Sequence, residues 1–296
     1  MEHIACISYG KDSLAMLEII HKHKLPLDRI VHVSLMATPS IPADYPEVVE
    51  WKTKANEIIE NRYGIKVETL TSEYSYQDLF YKIPKRSAKN ISKQGQIRGF
   101  PSLRSNWCTQ DLKVKEMRKL KGSIQYIGIA VDEPKRHSQL SEKLISPLVK
   151  FNVTEAECYK ICEGLGLLAP TYLQSKRSGC WFCHAQPIAQ LRILRHQYPE
   201  YWKLLLKWDA DSPIPFRHGK RHGTHTVKDF DERFYLEDIG ILDMNDKSFR
   251  WTTMEDYKKI YIEEGGITPS PVPAPSFTPS LRIISHERKE HQRSDV

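Results

Sequence analysis

The chain has 296 residues, 40% of them hydrophobic and 27% charged, which suits one large α/β domain, or one domain with appendages, around a sizeable core. It holds no run of about 18 apolar residues and opens directly on a strand-like segment, which argues against a membrane span and a secretory signal and places the protein in the cytoplasm. The net charge of +7 suggests an anionic partner, of which a nucleotide accounts for only part, and the six cysteines of a cytoplasmic chain are reduced, metal-bound or catalytic rather than disulfide-bonded.

Ile4, Ala5, Cys6 and Ile7 form a short apolar run of the kind a buried parallel strand needs, and Leu14, Leu17 and Ile20 then recur at helical spacing. The residues between them, Ser8-Tyr9-Gly10-Lys11-Asp12-Ser13, read as a tight turn that opens a helix. Such a turn aims unpaired backbone N–H groups and the positive end of the helix dipole at one spot, which favours an anion. Gly10 lets the backbone approach a phosphate, Ser8 and Ser13 offer hydroxyls, Lys11 brings a point charge, and Asp12 can cap the helix or help hold a metal. The paired glycines of a Walker loop are missing. A strand-to-helix connection that merely contains Gly and Ser is the plain alternative.

A second strand is predicted over 29–35, a long helix over 45–62 and a third strand over 65–70. Strands alternating with helices imply right-handed crossovers and a parallel sheet, with ligands bound beyond the carboxyl ends of the strands. From Phe80 to Gln110 no residue is acidic, while Lys82, Lys85, Arg86, Lys89, Lys93, Arg98 and Arg104 are basic. This 82–104 segment is either a solvated basic loop or one that grips the phosphates of a nucleotide or of a nucleic-acid substrate.

A helix is predicted from Trp107 to about Leu120 and a fourth strand over 125–130. Ile145-Ser146-Pro147-Leu148 reads as a strand end, and Thr154 with Glu157 three residues later has the spacing of a capping box. Cys158 and Cys162, one turn apart on that helix, are packing residues. Cys180-Trp181-Phe182-Cys183 brings two thiolates to one centre, which zinc or an iron-sulfur cluster can use; a thioredoxin-like dithiol would instead open a helix in a βαβ unit. Helices follow over 186–196 and 200–208. A basic loop with His218, His222 and His225, a last helix over 254–264 and a Pro/Ser-rich tail end the chain.

Five segments, in this order, resemble the phosphoadenylyl-sulfate (PAPS) reductase-like family of the PP-loop adenine nucleotide alpha hydrolase superfamily. They are Ser8 to Ser13 as the PP-loop, Cys108-Thr109-Gln110-Asp111-Leu112-Lys113, Gly128 through Glu133 to Arg136, Pro147-Leu148 with the capped helix, and Gly179-Cys180-Trp181-Phe182-Cys183. The resemblance implies a Rossmann-like (PP-loop/HUP-type) α/β fold: a parallel sheet with flanking helices, a Cys-containing helical C-terminal extension and a disordered tail. It divides the chain into a nucleotide-binding domain over 1–175, the extension over 176–265 and the tail over 266–296. It further implies that Ser8, Gly10, Lys11, Asp12, Ser13, Gly128 and Arg177 bind ATP or PAPS with Mg2+. Lys11, Asp12, Lys113 and Arg136 would then offset the charge that develops during substitution at phosphorus or sulfur. Cys108 would join Cys180 and Cys183 around a [4Fe-4S] cluster, with zinc as the alternative and His184, Cys162, a small molecule or nothing in the fourth place.

Two departures qualify the expected chemistry. The second strand ends in Ala37-Thr38-Pro39 rather than Asp-Thr-Gly, and no cysteine follows Cys183, where PAPS reductases carry a C-terminal Glu-Cys-Gly-Ile-His motif. The first expectation is therefore ATP-dependent activation of a substrate, a nucleic acid by the basic surface, for sulfur transfer with a sulfur-donor protein. The second is reduction of PAPS or adenylyl sulfate by thioredoxin or another external thiol. A nucleic-acid-binding module stapled by zinc is the third.

Overall fold

The structure, a computed structural model, describes residues 1–85, 94–102, 105–173, 179–218 and 223–263. Arg177, the basic residues Arg86, Lys89, Lys93 and Arg104, and the tail over 266–296 lie outside the described residues.

The apolar runs form β1 (His3–Ile7), β2 (Arg29–Ser34), β3 (Val67–Thr71), β4 (Ile124–Ile127) and β5 (Leu144–Ile145). They pair in the order β3-β2-β1-β4-β5, every pair parallel, with Cys6 opposite Val31 on one side and Ile127 on the other. The predicted parallel α/β sheet is thus the observed one. β1 sits centrally and the chain moves outward from it in both directions, so the carboxyl ends of β1 and β4 mark a switch point, where such sheets leave a crevice.

One core lies against the sheet. Helix α1 (Lys11–Lys22) buries Leu14, Leu17 and Ile20 against α2 (Pro46–Tyr63) and α8 (Glu155–Gly164). Thr154 and Glu157 form the predicted capping box on α8. Cys158 and Cys162 are fully buried there, and Cys162 donates to the Lys11 carbonyl at 3.1 Å.

A second core is largely aromatic. Trp181, Trp208, Tyr76, Phe80, Phe100, Phe216, Phe230 and Phe234 are each under 2% exposed. They come from α3 (Tyr76–Tyr81), the Cys-x-x-Cys loop, α10 (Pro199–Asp211), α11 (Val227–Asp238) and, for Phe100 and Phe216, connecting segments, which pack with α9 (Ile188–Gln197). This core draws residues from both sides of the expected 175/176 boundary. Arg192 and Arg233 both bond the nearly buried Glu237, an ion-pair network that needs all its partners because a lone buried charge is costly.

Several expectations are corrected. Pro147-Leu148 does not end a strand: β5 stops at Ile145, and Ser146 caps α7 (Pro147–Lys150), since Pro suits the first turn of a helix. The fourth strand ends at Ile127 rather than 130. The helix expected over 107–120 is broken into α4 (Trp107–Thr109), a π-helical turn (Gln110–Val114) and α5 (Lys115–Met117). α3, which directly precedes the basic 82–104 segment, was not anticipated; its N-cap Ser75 closes a second capping box with Asp78. α11, begun by a third such box at Thr226 and Asp229, was not anticipated. Its apolar positions 227, 230 and 234 show the helical spacing that identifies it. Arg217 and His225, at the two ends of the basic histidine loop, pair through two backbone bonds, and His225 stacks on Trp251 at 4.0 Å.

Candidate active site

A cavity of about 480 Å³ opens beyond the carboxyl ends of β1, β2 and β4. Ser8, Gly10, Asp12, Ser13, Gly128, Lys113, Arg136 and Cys180 all line it, so most of the residues singled out from separate motifs share one space. Lys11 does not line it. Its Nζ lies 2.7 Å from Asp12 and 2.8 Å from Glu155. Burial works against that ammonium, but the two carboxylates outweigh it and raise its pKa. Asp12 does not cap α1: Gly10 is the N-cap and no side chain bonds there.

Gly10 has φ −78°, an ordinary value, whereas Tyr9 takes φ +56° in the left-handed region. For a bulky residue this costs on the order of 1–3 kcal/mol, so the surroundings must hold it. They do so through the phenol, which donates to Asn56 Oδ1, meets His32 and Trp51 edge-on, and lies under Lys52 Nζ at 4.8 Å. The hydroxyls close the turn from within: Ser13 Oγ accepts from the Ser8 N–H at 3.1 Å and donates to the Gly10 carbonyl at 2.9 Å. The Lys11 backbone N–H, first of the helix, donates to the Tyr172 hydroxyl at 3.0 Å. A phosphate oxygen at this amide would take the place of that hydroxyl.

Gly128 packs against this turn. A Cβ there would lie 2.6 Å from Ser13 N and Cα, so only glycine lets β4 and the start of α1 meet. Arg136, bonded to Glu133 at 2.7 Å and largely exposed, reaches the same cavity.

The far wall was not legible in any motif. Lys52 donates to Asp44 at 2.6 Å and lies 3.1 Å from His32 Nε2, while His32 Nδ1 faces the Ile7 carbonyl at 3.1 Å. Nδ1 therefore carries the proton and Nε2 accepts from Lys52. Burial, and then the Lys52 charge, push His32 down to about 4. Because the fold holds the neutral ring, the unfolded chain takes up its proton first as pH falls. The stabilisation is therefore complete above about pH 6.5 and lost between there and about 4, on the order of 3 kcal/mol. Urea midpoints of wild type should fall more steeply between pH 6.5 and 4.5 than those of His32→Asn, and equal slopes would refute the assignment.

Cys180 of the Cys-x-x-Cys loop also lines the cavity. Cys180 and Cys183 form a tight turn, with the Cys183 N–H donating to the Cys180 carbonyl at 3.0 Å and the Gln186 N–H to the Cys183 carbonyl at 3.1 Å. The loop is seated by Trp181, whose backbone N–H donates to Ala43 and indole N–H to Pro42, both at 2.9 Å. Cys108 lies within electrostatic reach of Cys183, and Lys113 within reach of all three cysteines. Lys113 is open to the cavity yet enclosed by protein, and Cys180 foremost raises its pKa. Enclosure pushes Cys180 up to about 12 and Cys108 also upward, so without a metal both stay thiols and the Lys113 ammonium is the charge present. Among the described residues no three His, Cys, Asp or Glu side chains are gathered closely enough to hold one metal ion.

No protein-family model matches the chain, and no curated protein does. Among solved structures it is similar to the U34-tRNA thiolase NcsA from Methanococcus maripaludis with its [4Fe-4S] cluster, at 16% identity and a TM-score of 0.35 over 82% of each chain. That likeness is loose, and the functional reading rests on this chain's own residues. No helix among the described residues is long and apolar enough to cross a membrane.

Proposed function

We propose that this protein is a PP-loop enzyme of the PAPS-reductase-like kind that binds ATP at the turn after β1 and activates an acceptor for sulfur transfer. The observation that carries this is the shared cavity. The anion-favouring helix start, the cations Lys113 and Arg136, and Cys180 all face one space, so a nucleotide's phosphates and a sulfur centre can meet there.

The phosphates sit at the start of α1, replacing the Tyr172 hydroxyl at the Lys11 amide, with Asp12 holding Mg2+. An acceptor oxygen attacks the α-phosphorus and pyrophosphate leaves, carrying away the P–O bond pair; Arg136 and Lys113 stabilise the charge that builds on the phosphoryl oxygens. Sulfur then adds at the activated carbon and AMP departs. Cys108, Cys180 and Cys183 would hold a [4Fe-4S] cluster, which would supply the sulfur chemistry of this step.

The donor set fits such a group. A single zinc draws its sulfurs to about 3.8 Å of one another, from Zn–S bonds near 2.3 Å. A cluster spaces its ligands farther apart, and among the described residues no three such side chains are close enough for one ion. Near the cysteines are buried polar atoms without hydrogen-bond partners among the described residues: Tyr76 Oη, Trp107 Nε1 and Arg217 Nε. The acceptor class favoured by the net charge of +7 is a nucleic acid.

Calorimetric titration of the full chain with Mg–ATP tests the nucleotide half. Asp12→Ala with Lys11→Ala should weaken binding at least tenfold, on the order of 1.4 kcal/mol or more. Equal affinity in the double variant would remove the PP-loop from the account.

A further inference from the structure

The fully buried Tyr76 hydroxyl is a polar group that its packing alone does not explain. The residue is 1% exposed, and its oxygen has no hydrogen-bond partner among the described residues. An unsatisfied buried hydroxyl costs about 1–3 kcal/mol, and phenylalanine would pack in the same space without that cost. Something specific therefore accounts for a tyrosine.

Its surroundings say what. The ring stacks on Trp107 at 4.9 Å and 25°, and that tryptophan immediately precedes Cys108. The ring also meets Phe182 at 4.2 Å, and Phe182 lies between Cys180 and Cys183. Tyr76 is thus the wedge between the two cysteine-bearing segments, on a helix locked by its own capping box. Burial first, and then the charges of Cys108, Cys183 and Cys180, keep the phenol protonated, so it can only act as a donor toward anionic sulfur. Trp107 Nε1, also without a partner, is a donor of the same kind.

We infer that Tyr76 is a positioning residue for the sulfur-rich group held by Cys108, Cys180 and Cys183, to which its hydroxyl donates the hydrogen bond it lacks in the protein alone. This rests on the cluster reading above. Such a bond places donor density on a cluster sulfur, favours the reduced form and raises the reduction potential. It also makes the sign of one substitution depend on occupancy. In the metal-free chain Tyr76→Phe removes an unsatisfied group and leaves the protein as stable or more so. In the loaded chain the same change removes a made bond and costs stability.

The test uses the full chain, metal-free and after anaerobic reconstitution with iron and sulfide, as wild type and Tyr76→Phe. Thermal midpoints are recorded for all four samples, and redox titrations follow absorption near about 400 nm for the two loaded ones. The expected result is a midpoint change of opposite sign in the two forms, with a more negative potential for the variant at equal iron content. Lower iron loading in a variant with an unchanged far-UV spectrum also supports the role. Equal potentials with the same midpoint change in both forms would overturn it while leaving the cluster in place. A wild-type chain that takes up no iron would overturn the cluster reading itself, and this inference with it.

Discussion

Gly128→Ala should unfold more readily than wild type by about 3 kcal/mol and bind Mg–ATP at least tenfold more weakly. The added Cβ would meet Ser13 N and Cα at 2.6 Å and the Asp12 carbonyl carbon at 2.7 Å. All three are backbone atoms at the start of α1, so no side chain can swing away. Either β4 must retreat from β1, breaking the pairing of Cys6 with Ile127, or the turn that holds Tyr9 in its left-handed conformation must open. Both routes spoil the helix start on which phosphate binding depends. Gly164→Ala is the control: it ends α8, nothing lies within 4 Å of the added carbon, and a helical Gly→Ala change gains about 0.5–1 kcal/mol. Urea unfolding and calorimetry on the two variants would show the contrast. Matching behaviour would mean that β4 and the turn tolerate separation.

Trp181→Ala should cost about 4 kcal/mol and release the Cys-x-x-Cys loop from the sheet end. The side chain is 0% exposed and stacks on Tyr201 at 4.8 Å and on Trp208 at 5.6 Å. Truncation leaves a cavity in a core whose other large members are rigid rings and cannot collapse into it. It also loses the indole bond to Pro42, which with the Trp181 backbone bond to Ala43 ties the cysteine loop to the segment carrying Asp44. Trp181→Phe separates the terms, since it keeps an aromatic plane and loses a hydrogen bond of about 1 kcal/mol. Iron uptake, measured after reconstitution, should fall sharply in Trp181→Ala and little in Trp181→Phe. Full iron uptake in Trp181→Ala would mean that the cysteines are positioned by their own turn alone.

Local spacing carried much of the fold and part of the site. Strands and most helices were readable from periods of 2 and 3.6, and the Thr154–Glu157 capping box is a contact three residues long. The Cys-x-x-Cys turn is likewise closed by bonds within its own loop. What went unread involves partners far apart in the chain. Lys11 is neutralised by Glu155, 144 positions away, and its backbone amide is capped by Tyr172, 161 positions away. Nothing near Tyr9 marks it, rather than Gly10, as the left-handed residue, because the restraint comes from Asn56, Lys52 and His32 on other elements.

Residue order and spacing alone were sufficient for the parallel α/β sheet, the anion-favouring turn at its centre and the paired cysteines, because each is decided by backbone geometry over a few neighbouring residues. Only the tertiary structure decided that the turn, Gly128, Arg136, Lys113 and Cys180 share one cavity, and that Asp44, Lys52 and His32 wall it and Tyr76 stands between the cysteine segments. Charge pairing, burial and ring packing act between side chains that the fold brings together, and their partners cannot be assigned until the strand order is set.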